Sequence, residues 1–272
     1  MMEHGTDIWE MSVAADDEGP ARGAVPRTAV GVLDRTIAIL DAVERGTHTF
    51  SGLVRATGFS RSTTHRLVKA LEAHGLLEPD GARGYRLGPR LLRLSAVAAR
   101  ELPLRELAHP VLERLAATSG EGAQLYVRSG DARLCIDSVE STSELRTIVP
   151  VGAALPLTAG SAGKVFLAHL GEPDRARVLE GYHPSTPEGP SEARLLAELE
   201  TIRRRGWASS SGEREPGVAS VSAPVLAPDG RLVAVVSLSG PSARLGHARA
   251  RRVASAVLEA ARDIEVAAGG GR

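Results

Sequence analysis

Apolar residues return every three or four positions at Leu33, Ile37, Leu40 and Val43, and the run stops at Gly46. That period predicts a first helix. Thr49 stands where an N-cap belongs, ahead of Phe50, Leu53 and Val54 in a second helix. A third runs from a Ser60 cap to about His74, and Gly75 ends it. Thr57-Gly58-Phe59 joins the last two. Leu76-Leu77-Glu78 and Tyr85-Arg86-Leu87 then flank a turn-forming Pro79-Asp80-Gly81-Ala82-Arg83-Gly84, which reads as a strand hairpin. Three helices followed by a hairpin predict an N-terminal winged helix-turn-helix, mainly α with a β-hairpin wing.

Gly88-Pro89 is a helix opening, because proline suits the first helical position. Leu91, Leu92, Leu94 and Val97 follow on a connecting helix that breaks near Leu102-Pro103. The next helix, Leu104 to about Thr118, is expected to bend at Pro110 and to close at Gly120. From residue 123 the period falls to two. Residues 124–128 and 133–139 form a hairpin around Ser129-Gly130-Asp131. Further strands are expected at 145–149, 207–211, 217–226 and 232–239, and helices at 161–170, 173–181, 191–204 and 246–267. This mixture predicts an α+β C-terminal domain. The chain therefore divides into a polar, aperiodic tail at 1–27 that is expected to be disordered, the winged helix-turn-helix at 28–88, the connecting helix at 89–102 and the second domain at 103–270.

A length of 272 residues is comfortable for two domains. Aromatics at 3% leave the cores to Leu, Val and Ala, and argue against the stacking platforms that single-stranded nucleic acids need. The net charge is zero, but it is unevenly spread. Residues 1–30 carry a net of −4, residues 31–91 carry nine Lys/Arg against six Asp/Glu, and the remainder is near balance. The positive excess falls on the helical pair. Cys135 is the single cysteine, so neither an intrachain disulfide nor a Cys-based zinc site can form. No apolar run approaches the roughly 18 residues of a membrane span, and the acidic start does not read as a signal peptide. A cytoplasmic protein with no membrane partner is expected.

The third helix carries Arg61, Ser62, His65, Arg66 and Lys69 on one face and Thr64, Leu67, Val68 and Leu71 on the other. Such a helix can seat its apolar side on a partner and lay its polar side in a DNA groove. Arg61, Ser62, Thr63, His65 and Arg66 are the candidate base readers, since arginine pairs with guanine through two parallel hydrogen bonds. Lys69 lies farther along and suits phosphate. Thr49 can cap its helix and offer a hydroxyl to phosphate, while Arg83 and Tyr85 on the wing would flank the minor groove.

Three separated blocks make the chain resemble the IclR family of transcriptional regulators behind that winged helix. They are Pro150-Val151-Gly152-Ala153-Ala154-Leu155-Pro156-Leu157-Thr158-Ala159-Gly160-Ser161-Ala162-Gly163-Lys164-Val165-Phe166-Leu167-Ala168; Arg205-Gly206-Trp207, Glu213 and residues 217–225; and Val236-Ser237-Leu238-Ser239-Gly240-Pro241. The likeness covers nearly everything after the tail. Leu226, Ala227 and Gly52 depart from the family's usual residues. The resemblance implies a GAF-like effector-binding domain, self-association as a dimer or tetramer, and control of operons by small organic acids, with repression the usual direction. It also implies that Arg35 approaches the DNA backbone. By position it brings Ser210 or Ser211, Val218, Ser220, Ser237 and Ser239 to the pocket. Ser161 and Ala162, opening a helix after Gly160, would aim backbone N–H groups at a ligand carboxylate. Ser237 and Ser239, two apart on a strand, share a face. These serines either meet a ligand or bond neighbouring backbone.

Gly160-Ser161-Ala162-Gly163-Lys164 is not a phosphate loop, which needs four residues between its glycines and Ser or Thr after the lysine. Ser161 lacks the two-sided glycine elbow of a hydrolase, because Thr158 fills the first position of that frame. The eight histidines are scattered. No catalytic residue, metal or cofactor is expected. The predicted partners are duplex DNA with a pseudo-palindromic operator, a small effector and a second copy of the chain.

Overall fold

The computed structural model describes residues 30–81, 84–100 and 103–270, and the chain divides into two compact units that part at residues 101–102.

The N-terminal unit contains α1 (Gly31–Glu44), α2 (Phe50–Thr57), α3 (Arg61–Ala73), a hairpin of β1 (Leu77–Pro79) and β2 (Tyr85–Leu87), and α4 (Pro89–Arg100). Both expected caps form. Thr49 Oγ1 accepts from the Gly52 N–H at 3.1 Å, and Ser60 Oγ accepts from the Thr63 N–H at 3.2 Å. Each satisfies a donor that the first turn of its helix leaves bare. Gly58 turns the chain between α2 and α3 with φ of 71°, a left-handed conformation that disfavours side chains. Ile39, Ala42, Val43, Leu53, Val68, Leu71 and Leu77 make the core. One detail of α1 differs from the sequence reading. Its core face is Ala38, Ile39, Ala42 and Val43, whereas Leu33 and Ile37 are 52% and 40% exposed. The helix carries two apolar stripes, and only one is covered within the unit.

The C-terminal unit begins with α5 (Pro103–Ser119), where Pro110 sits inside the helix without ending it. Then come β3 (Gly122–Ser129), β4 (Ala132–Val139), β5 (Ala154–Pro156), α6 (Ser161–His169), α7 (Glu172–Leu179), α8 (Glu192–Arg205), β6 (Ala208–Ser211), β7 (Val218–Leu226), β8 (Leu232–Pro241) and α9 (His247–Glu265), closed by a π turn at Val266–Gly270. The strands form one antiparallel sheet in the order β5-β4-β3-β8-β7-β6. Strand periodicity divides the core between its faces. Leu125, Ile136, Val221, Val236 and Leu238 pack beneath α5 and α9, while Tyr126, Cys135 and Val235 face α6 and α8. This is the α+β, GAF-like arrangement.

The strand expected at 145–149 is a loop. The Cys135 N–H donates to Ala153 O at 2.9 Å and Cys135 O accepts from the Gly152 N–H at 2.8 Å, so residues 152–156 occupy the open edge of β4. Alternation at 145–149 reflects a loop with Val149 turned in and Leu145 and Ile148 turned out.

Candidate functional sites

On α3, Thr64, Val68 and Leu71 are buried, and Arg61, Ser62, His65, Arg66 and Lys69 are exposed. The exposed face is ordered rather than loose. The Arg61 guanidinium lies 5.3 Å from the Phe50 ring centroid, and that ring meets the His65 ring edge-on at 6.4 Å. Ser60 Oγ also bonds the hydroxyls of Thr63 at 2.9 Å and Ser62 at 3.0 Å. Thr63 is half-buried by this arrangement. Lys69 Nζ holds Glu72 at 2.6 Å, an exposed pair of small stabilising value. Arg35 and Thr49 are exposed on α1 and ahead of α2. Tyr85 packs its ring against the unit's core, and its N–H donates to His48 O at 2.8 Å. Arg83 lies outside the described residues.

The second constellation forms in the other unit where α6 meets the sheet. Antiparallel register places Ser210, Ser220 and Ser239 in one row across β6, β7 and β8, and Ser222 beside Ser237 in the next. Their hydroxyls connect. Ser210 Oγ is 3.0 Å from Ser220 Oγ. Ser161 Oγ is 2.7 Å from both Ser220 and Ser222, and Ser222 reaches Ser237 at 2.8 Å. Ser239 donates to Gln124 Oε1 at 2.9 Å. Each hydroxyl donates once and accepts freely, so these buried polar groups satisfy one another. The Ser161 N–H, expected to face a ligand, is directed at Ser220 Oγ at 3.4 Å. Ala162 and Val218 stand on the wall of the same small cavity. Ser211 lies on the β6 register opposite Ala219 and outside that lining. The cavity volume is about 20 Å³, room for little more than one water.

Five groups here escaped the sequence reading. Ser222 is buried among the other hydroxyls, and its spacing from Ser220 is the signal that could have found it. Tyr126, Arg133 and Arg214 line the cavity, and Gln124 holds Ser239. Arg133 is buried, donates to Pro156 O, and lies 5.5 Å over the Tyr126 ring. Arginine two residues before Cys135 on an alternating strand was the available clue. Burial pushes the Tyr126 phenol up to about 12, against the pull of Arg133 and Arg214, so it stays protonated and can donate. The Cys135 thiol is likewise pushed up to about 12, chiefly by burial, which leaves it unreactive.

Lys164 is 1% exposed and holds Glu198 of α8 at 3.0 and 3.1 Å and Glu213 at 2.6 Å. Its charge is spent inside the protein. At the neighbouring Gly163, α6 lies close against Leu157, where a Cβ would collide with Leu157 O. Burial holds the Glu213 carboxyl above its ordinary value, with Lys164 opposing. Among the described residues no group of His, Cys, Asp and Glu could hold a metal ion, and no helix is long and apolar enough to cross a membrane.

A winged helix-turn-helix ahead of an α+β domain of this topology defines a transcriptional regulator of two parts. Residues 32–81 match the IclR helix-turn-helix domain, and residues 96–266 match the bacterial transcriptional regulator IclR C-terminal domain. The chain belongs to the IclR family; it is a regulator and not an enzyme. It is 34% identical to the HTH-type transcriptional regulator BhcR of Paracoccus denitrificans, over 89% of this chain and 88% of that one. It is 29% identical to the transcriptional repressor IclR of Escherichia coli, over 93% and 96%. The crystal structure of an IclR homolog complexed with 4-hydroxybenzoate, from Microbacterium hydrocarbonoxydans, aligns with a TM-score of 0.75 at 27% identity, covering 88% of this chain and all of that one.

Proposed function

We propose that this regulator reads a pseudo-palindromic operator as a dimer or tetramer in the cytoplasm, and that a small organic acid in the serine-lined chamber adjusts its grip. The observation that carries the reading is the polar face of α3, where Arg61, Ser62, His65, Arg66 and Lys69 are exposed beside a capped N-terminus. Arg61, Ser62, Thr63, His65 and Arg66 read bases. Arg35, Thr49 and Lys69 meet phosphate, and the wing, with Arg83 and Tyr85, lies along the flanking groove. Repression is the proposed direction, since the Escherichia coli relative is called a repressor.

Ser161, Ala162, Ser210, Val218, Ser220, Ser237 and Ser239 hold the effector; in support, all of them but Ser161 line one small cavity, and a relative's structure is a complex with 4-hydroxybenzoate. The ligand shifts the regulator by binding one of two states more tightly, transmitted through the connecting segment 89–102. Uncovered apolar side chains on α1 and α4, among them Leu33, Ile37, Leu92 and Val97, are the surface for a second copy.

Fluorescence anisotropy with the upstream intergenic duplex tests the DNA reading. Preference over random duplex and a steep salt dependence are expected; equal affinity for both duplexes would sink it. Sedimentation of Leu92→Asp tests self-association, with a shift towards monomer expected.

A further inference from the structure

At about 20 Å³ the chamber is smaller than any organic acid, so one of its walls has to move before an effector can enter. The walls differ in how they are held. Strands β3, β4, β7 and β8 each pair with a neighbour on both sides, and β5 and β6 pair with β4 and β7. Helix α6 is tied by the Lys164 ion pairs and by the Ser161 hydroxyl. The turn bearing Arg214 is fixed at Gly212, whose N–H donates to Val218 O at 2.8 Å and whose carbonyl accepts from Thr186 Oγ1 at 2.6 Å. Lys164 holds the same turn again through Glu213.

The remaining wall is the loop between β4 and β5, which contributes Val149. Its ends are fastened. Ser141 Oγ donates to Gly120 O at 2.7 Å, while Gly152 and Ala153 bond the backbone of Cys135. Among the described residues, the loop's one other hydrogen bond to the rest of the fold is weak, from the Cys135 thiol to Val149 O at 4.0 Å. Within 142–152 Val149 alone is buried, and Leu145, Ile148 and Val151 point outwards. A single apolar side chain therefore keeps this span shut. Exposing one valine costs a factor of about ten to a hundred in population, far less than unfolding the domain. Gly152 turns the chain with φ of 92° and nothing within 4 Å of where a Cβ would stand, so the bend rests on glycine's own freedom. We propose that residues 142–151 are a lid on the chamber, anchored at Ser141 and Gly152 and latched by Val149, and that its opening admits the effector. The admission rests on the effector reading; the motion does not.

Cys135 reports the motion, because it is the single thiol of the chain, lies beneath the latch and is inert while buried. The test is the rate at which iodoacetamide labels the full chain across a urea series. A lid predicts a rate that is flat at low urea and climbs only near the unfolding transition. Val149→Ala, which trims the latch by two methyl groups, is expected to raise the flat rate about tenfold. Gly152→Ala, strained in the closed form and free of any clash, is expected to raise it about fivefold. Leu199→Ala, in the same core cluster but on α8, is expected to lower the unfolding midpoint and leave the flat rate alone. A rate that rises from the first addition of urea, or one quickened as much by Leu199→Ala as by Val149→Ala, would overturn the lid. For admission, stopped-flow association of malonate, succinate or 4-hydroxybenzoate is expected to quicken in both lid variants by their labelling factors. Unchanged association would overturn entry by this route. Failure of all three acids to bind would bring down the effector reading and entry with it, and the motion would stand on its labelling.

Discussion

The two units treat polar side chains in opposite ways. On α3 the arginines, the histidine and most hydroxyls stand outside the fold, positioned by a cap and an aromatic ring, with little to bond but a partner. In the chamber the serines lie inside and bond one another before any ligand arrives. An outward face can lose a side chain at small cost to stability and large cost to recognition. An inward network couples the two, because each group left unpaired keeps its full desolvation penalty. Mutations should therefore separate folding from binding in the first unit and confound them in the second.

The sharpest break of that contrast is Lys164→Met, which leaves Glu198 and Glu213 facing each other without their cation. A loss of about 3–5 kcal/mol in urea denaturation is expected, the usual result of removing one side of a buried ionic group. An unchanged midpoint would show that the triad is not a structural centre. Next, Arg66→Ala should cost about 1–3 kcal/mol of operator affinity and leave the melting temperature where it was. Equal losses in stability and affinity would erase the distinction between the units. Ser60→Ala tests an intermediate case: losing the α3 cap should cost about 1 kcal/mol of stability, and operator affinity should fall with it because the cap sets the start of the reading helix.

The smallest effect concerns pH. Glu213 holds its proton more tightly folded than unfolded, so the native state loses stability as pH rises from the ordinary carboxyl value of 4.5 through the raised one. Glu213→Gln should be flat across that window. A parallel slope in both proteins, measured by chemical denaturation from pH 4 upward, would assign the dependence elsewhere.

Much of the first unit was legible because its signals are local. Caps at Thr49 and Ser60 and the apolar set Thr64, Val68 and Leu71 need only a few residues of chain to be recognised. Sequence reading went wrong where distant chain decided the outcome. Leu33 and Ile37 fit the helical period and lie outside the unit's core. Residues 145–149 alternate well enough for a strand, yet 152–156 reached the edge of β4 first. Around the chamber, Ser161, Ser210, Ser220, Ser237 and Ser239 were named from family blocks, whereas Ser222, Tyr126 and Arg133, which strand register brings in, and Arg214, which the turn between β6 and β7 brings in, were not.

By itself, the sequence determined the order of the helices and of most strands and the side of α3 that faces water, since period and turn chemistry act over a turn or a hairpin. Only the tertiary structure decided which serines touch, which acids claim Lys164 and which arginines are left facing the cavity. The serine contacts depend on how strands far apart in the chain align, and a displacement of one residue in register would send Ser210, Ser220, Ser237 and Ser239 to the opposite face; the partners of Lys164 and the place of Arg214 depend on how α6, α8 and the turn between β6 and β7 pack against that sheet.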